Sequence, residues 1–203
     1  MKQNIMIILC IVLIFIGIIL LSDTLKDNTS VEESDTLTQY SNSYEEYTCN
    51  KEVLYQKDID KTSSIRVVFV DSILGGRSLV AIERTDDGGK TCYNLLQNDD
   101  KVVTIHNEAE FLFIDEHIGF IYDPGQVGTN GDYRSLRVTV DGAKTFSEAN
   151  LHLEDNNLLE YLYIDGLPST ENNQFKLKAC LYKDGVKELY FVSDDGLNWR
   201  LLN

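Results

Sequence analysis

A short motif occurs three times in this chain at one fixed spacing, and that spacing limits the possible folds more than any other feature. The copies are Thr85-Asp86-Asp87-Gly88-Gly89-Lys90-Thr91-Cys92, Thr139-Val140-Asp141-Gly142-Ala143-Lys144-Thr145-Phe146, and the shorter Ser193-Asp194-Asp195-Gly196-Leu197-Asn198-Trp199. Asp87, Asp141 and Asp195 stand 54 residues apart at both steps. A fixed period of this order marks one supersecondary unit, repeated and stacked.

Each copy follows a strand-like run (78–84, 135–138 and 188–192) and precedes another, so each reads as a hairpin turn. The Ser/Thr hydroxyl and the Asp carboxylate are short acceptors suited to the backbone N–H groups of a turn. Glycine supplies the positive φ. Phe146 and Trp199 are expected to anchor the turn from below, with Cys92 in that place in the first copy.

These residues resemble the Asp-box, or BNR, repeat, Ser/Thr-x-Asp-x-Gly-x-Thr-Trp/Phe, of sialidases, sortilin-type receptors and bacterial β-propellers. Thr85, Asp87, Gly89 and Thr91 fit closely; Thr139, Asp141, Gly142, Thr145 and Phe146 fit with the glycine one place early; Ser193, Asp195, Gly196 and Trp199 fit with a deletion. The resemblance covers about residues 53–203. It implies an all-β, propeller-like array of about three four-stranded antiparallel repeats, with the boxes as structural turns away from the ligand face. An acidic turn such as Asp86-Asp87 would suit Ca²⁺, but a hydrogen-bonded turn is the favoured reading, and no metal or cofactor is expected.

Strands are expected near 53–57, 65–71, 78–84, 91–96, 110–115, 118–122, 134–140, 145–148, 160–164, 175–182, 187–193 and 198–202, with 102–105 as an extra that fits no repeat. A second mark, an apolar run ending in Asp, recurs at 68–71, 112–115 and 162–165. Such runs suit strands buried on both faces. Propellers commonly need four or more blades, so three repeats imply a partial propeller, a three-sheet array, or half of a ring completed by a second chain in a homodimer.

Ahead of the repeats, Ile5–Leu21 is an uncharged apolar run at the short limit of a membrane span. A signal-peptide core is the alternative; without an A-x-A cleavage pattern, an uncleaved signal anchor is expected. Lys2 precedes the run and acidic residues follow it, which places residues 1–4 in the cytoplasm and the rest outside. Residues 22–48, rich in Ser, Thr, Asp and Glu, read as a disordered tether, and 49–203 as the β domain. The expected protein is therefore a bacterial-type, single-pass membrane protein with an extracytoplasmic domain.

The part beyond the anchor holds all 33 acidic and 17 of the 18 basic residues, a net −16. That disfavours nucleic acid and anionic headgroups, and suits a basic protein or a cationic ligand. Cys49, Cys92 and Cys180 lie in this part. Cys49–Cys92 or Cys49–Cys180 would tie the N-terminal segment to the domain.

In an up-and-down sheet, successive turns alternate between two ends. Variable stretches between second and third strands then lie opposite the boxes, the end where repeat proteins carry insertions. The candidate binding residues on that end are Arg77, Asn130, Asp132, Tyr133, Arg134, Glu171, Asn172 and Asn173. Catalysis is not expected. Sialidases need an arginine triad and six blades, and the six outer arginines lack the Arg-Ile-Pro strand of that family. His106, His117 and His152 sit in no nucleophile motif. The expected function is binding, with a protein as first choice and an envelope carbohydrate, or a sialidase-like glycosidase activity, as alternative.

Overall fold

The computed structural model describes residues 44–127 and 133–202. These belong to one compact unit, residues 43–203. The expected anchor (5–21), most of the tether, and Asn130 and Asp132 lie outside the described residues. Among the described residues, no helix is long and apolar enough to cross a membrane.

The described chain is all-β, arranged as three sheets. The first contains β1 (Tyr47–Thr48), β2 (Val53–Asp58), β3 (Ser64–Ile73), β4 (Arg77–Thr85), β5 (Thr91–Asn94) and β6 (Val103–His106). Their order is β1-β5-β4-β3-β2, and β6 extends the sheet beside the first half of β4. The second contains β7 (Glu110–Phe113), β8 (Gly119–Val127), β9 (Tyr133–Thr139) and β10 (Ser147–Glu148), in the order β10-β9-β8-β7. The third contains β11 (Asn150–His152), β12 (Leu162–Ile164), β13 (Ser169–Glu171), β14 (Gln174–Leu181), β15 (Lys187–Ser193) and β16 (Asn198–Leu201). There β12 and β13 share one flank of β14, and β11 joins β16 in parallel.

Each sheet is thus a four-step antiparallel meander with additions, and each repeated motif joins its third and fourth steps. The expected strands are present with shifted ends: β3, β4 and β8 run longer than expected, and β5, β7 and β10 shorter. The start of the 160–164 run is instead a 3₁₀ turn over Asn156–Tyr161, capped by Asp155. The extra run at 102–105 finds its place as β6. Tyr47–Thr48, assigned to the tether from composition, pair with β5.

The second sheet lies between the other two. Along β8, Phe120 and Tyr122 face the third sheet while Ile121 faces the first. This two-sided burial is why the run reads as unbroken apolar sequence rather than alternation. One core joins Phe120, Leu136 and Val138 to Phe175, Leu177, Phe191 and Trp199. The other joins Ile65, Val67, Val80, Ile82 and Ile105 to Phe113, Ile121 and Ala143.

The second sequence mark is not equivalent across repeats. Val68–Asp71 belongs to a second strand, whereas Leu112–Asp115 and Leu162–Asp165 belong to or follow first strands. The disulfide is Cys49–Cys92, with Cα atoms 5.2 Å apart, and Cys180 is free. Of the two pairings the sequence left open, Cys49–Cys92 is the one formed, and Cys92 serves as a covalent anchor as well as packing beneath the turn.

Candidate functional site

The three repeated turns share one hydrogen-bond scheme. In the first, Asp87 accepts from the backbone N–H of Lys90 (2.9 Å) and of Thr91 (3.0 Å), and from the Thr91 hydroxyl (2.9 Å). Thr85 Oγ1 donates to Asp87 (3.0 Å) and accepts from Gly89 N–H (2.9 Å). The second repeats this with Asp141, Thr145, Thr139 and Ala143. In the third, Asn198 replaces the threonine, and the missing residue brings Gly196 N–H to Ser193.

The early glycine of the second copy has a structural reading. Gly142 has φ +77, and a Cβ there would lie 3.0 Å from the Glu116 carbonyl oxygen. Ala143 then takes the left-handed position (φ 63) that Gly89 fills in the first turn, with its methyl buried. Trp199 is buried and donates from Nε1 to the Gly196 carbonyl (2.8 Å), the anchor the sequence suggested; Phe146 is partly buried against the first–second core.

These bonds hold the carboxylates ionised. Backbone and hydroxyl donation from Thr91 lowers Asp87 to about 2. Donation from Asn198 backbone and side chain lowers Asp195 to about 2. At Asp141, partial burial works in the opposite direction, and bonds from Thr145 outweigh it. Oxygens so engaged are poorly placed to take a cation as well. Among the described residues, no three His, Cys, Asp or Glu side chains converge. In Asp115-Glu116-His117, Asp115 accepts the N–H groups of His117 and Ile118, and the His117 ring is exposed.

The three turns lie at one end of the unit. Arg84, next to the first, pairs with Glu116 in the β7–β8 turn (2.9 Å), whose His117 carbonyl accepts Gly142 N–H from the second. Gly196 of the third abuts Phe120 beside that same turn.

The predicted binding residues divide between the two ends. Arg77 opens β4 opposite the repeated turns, in register with His106. Tyr133 and Arg134 begin β9 at that end too, described here by backbone alone. Glu171, Asn172 and Asn173 lie instead at the end that carries the repeated turns. They join β13 to β14, and Gln174 bonds Asp194 of the third turn (2.6 Å). The reason is strand count. The 166–174 stretch connects first and second steps of its meander, not second and third as the sequence suggested. The second-to-third connection is 182–186.

A buried polar cluster was not anticipated. Asp123, fully buried at the end of the apolar run of β8, lies 2.9 Å from His106 Nδ1 and 3.5 Å from Arg137 Nη2, and it accepts the His106 N–H. The His106 ring packs on Gly125, where a Cβ would meet it at 2.4 Å. A carboxylate inside an apolar run, followed by Pro124-Gly125, was the signal available in the sequence. The described arginine side chains are dispersed: Arg66 on β3, on the face of the first sheet turned away from the second, Arg77 at one end, Arg84 at the other, Arg137 between sheets, Arg200 on the third. Comparison with known proteins found no family model that matches this chain and no curated protein that matches it.

Proposed function

We propose that this protein is a membrane-tethered, extracytoplasmic interaction module without catalysis. Its repeated turns are Asp-box turns, and its three meanders are blades of a propeller-like array. The common hydrogen-bond scheme supports the first assignment. The face-to-face packing of three meanders, with the turns at one end, supports the second.

One observation carries the binding reading: the three most exposed large apolar side chains among those described lie at the end opposite the repeated turns. Leu74, on the first sheet, is 92% exposed, and Val186 and Tyr182, on the third, are 67% and 50% exposed; Val53, Leu54, Val70, Tyr190 and Leu202 are exposed along those two sheets, and Leu159 and Tyr161 ahead of β12. At the other end Val140 is the described counterpart. Apolar and tyrosine side chains left in water on one end suit a protein partner. The acidic balance of the chain suits a basic one.

A photo-crosslinker placed at Leu74 or Val186 of the full chain, in the producing cell, tests this. One discrete protein adduct from these positions, and none from Lys90 or Lys144, is the expected result. Equal labelling from both ends, or no adduct from either, defeats it. Adducts to glycan would move the assignment to carbohydrate, and adducts to a second copy would make the surface a homodimer interface.

A further inference from the structure

We infer that the cleft between the first and second sheets, lined by Arg137, Lys144, Leu96, Val102, Val103 and Phe146, binds a small organic carboxylate with an apolar body. This site is separate from the surface proposed above. The cleft has a volume of about 490 Å³, within the range of small-molecule sites, roughly 300–1,000 Å³.

Its charge is unusual for this chain. The protein carries 33 acidic and 18 basic residues, yet two cations and no carboxylate line this cleft. Other clefts are mixed: Lys61 and Arg66 occur with Asp58 and Asp60 beneath the N-terminal segment, and Arg200 with Asp194 and Asp195 beside the third turn.

The guanidinium of Arg137 is also under-satisfied. Its side chain is 15% exposed, and burial works against its charge. Arginine has five N–H bonds to place. Nη2 donates to the Thr104 carbonyl (3.0 Å) and toward Asp123 (3.5 Å), but Asp123 is shared with His106. Nε–H is buried without an acceptor, which leaves the guanidinium short of partners, and the cleft meets Arg137 through the 15% of its side chain that stays exposed. A desolvated, incompletely paired cation in an apolar wall is matched by a carboxylate on an apolar frame. Glu148, exposed and opposite Arg137 in register, favours the Arg137 charge and would oppose an incoming anion.

The walls are already fixed. Gln97 N–H donates to the Lys144 carbonyl (3.0 Å). Asn98 and Asn94 side chains hold the Val102 and Lys101 carbonyls, both at 2.7 Å. The 95–102 connection is thereby tied to the second turn and to β5, so the cleft exists before any ligand arrives.

The test is ¹⁹F NMR of 4-fluorobenzoate and 4-fluorobenzyl alcohol with the full chain. Saturable binding of the carboxylate, at least about tenfold tighter than the alcohol, is expected. Lys144→Gln should weaken the carboxylate severalfold and leave the alcohol unchanged, and Glu148→Gln should tighten the carboxylate. Val102→Trp, which fills the cleft, should abolish binding of both while circular dichroism shows an intact fold. Arg137→Gln should remove the carboxylate preference; because it also strips a partner from buried Asp123, the Lys144 and Glu148 variants keep the test decisive if it unfolds. Equal affinity for acid and alcohol, absence of saturable binding in the millimolar range, or binding undiminished in folded Val102→Trp overturns the assignment.

Discussion

The first and third sheets each present one face away from the second, and the two faces are finished in opposite ways. On the first sheet, the chain crosses the face from Cys49, pinned to Cys92, to Glu52, whose carbonyl accepts Phe69 N–H. Beneath it Glu83 is fully buried and accepts from Tyr47 (2.7 Å) and Lys51 (2.8 Å). Burial, with Glu83 beside it, pushes the Tyr47 hydroxyl well above its usual range. Arg66 is buried there too, its Nη1 3.0 Å from Cys92 Sγ.

On the third sheet, the corresponding face stays wet. Lys178 bridges Asp165 (3.2 Å) and Glu188 (2.8 Å), Lys176 pairs with Glu171 (3.0 Å), and Tyr190 and Leu202 are exposed. The difference is a lesson in desolvation. Charges covered by chain are costly unless paired, and here they are paired only in part, since Glu83 Oε2 and Arg66 Nε are buried without a partner while a covalent bond holds the cover down. Charges in water need no such pairing.

The largest effect should come from removing the pin. Cys49→Ser should cost roughly 2–4 kcal/mol through the lost constraint on the unfolded chain, read by denaturant unfolding. An unchanged midpoint would mean the cover is held by its side chains alone. Next, Lys51→Met should cost roughly 1–3 kcal/mol, less than a fully buried pair because Lys51 is one-third exposed. Adding Glu83→Gln should return part of that loss, and purely additive losses would show that the two side chains are not coupled.

Acid should weaken both sheets together, because each carries a repeated turn. Asp87 and Asp195 titrate at about 2 in the folded protein, below the ordinary 3.8. The unfolded chain therefore binds more protons in that interval. The stabilisation is fully present above about pH 4 and is lost as pH falls through about 2. Asp87→Asn and Asp195→Asn should each flatten the acid limb of a stability–pH curve; a slope unchanged by both would remove the turns as its source. The smallest effect belongs to the open face: Lys178→Ala should leave Tm unchanged, and a clear drop would mean that face is less solvated than its exposure indicates.

The turns were legible because the bonds among their Thr/Ser, Asp and backbone N–H groups that recur in all three copies span at most four residues. Thr85, Asp87 and Thr91 specify their own geometry, and Asp141 and Asp195 repeat it. Strands β1, β11 and β13 were not legible. At two or three residues they show no periodicity, and partners far along the chain create them: β5 for β1, β16 for β11. The displacement of Glu171–Asn173 to the other end has a similar cause. One flank of β14 is filled by two short strands, β12 and β13, with a break between them, so counting apolar runs gave the wrong step. His106, Asp123 and Arg137 carry no local signal linking them, being 17 and 14 residues apart.

By itself, the sequence determined the repeat, the turn chemistry and the all-β class; of the runs 68–71, 112–115 and 162–165, expected to be buried on both faces, the first is open on one, with Val70 exposed. The repeat, the turns and the class follow from hydrogen bonds within a few residues and from apolar runs that must leave water. Tertiary structure alone decided which cysteine pairs with Cys49, which loops share an end, and that Arg137 and Lys144 wall one cleft. Those outcomes depend on which sheet packs against which face. Proximity between residues tens of positions apart is set by the packing of whole sheets, and no short stretch of sequence encodes it.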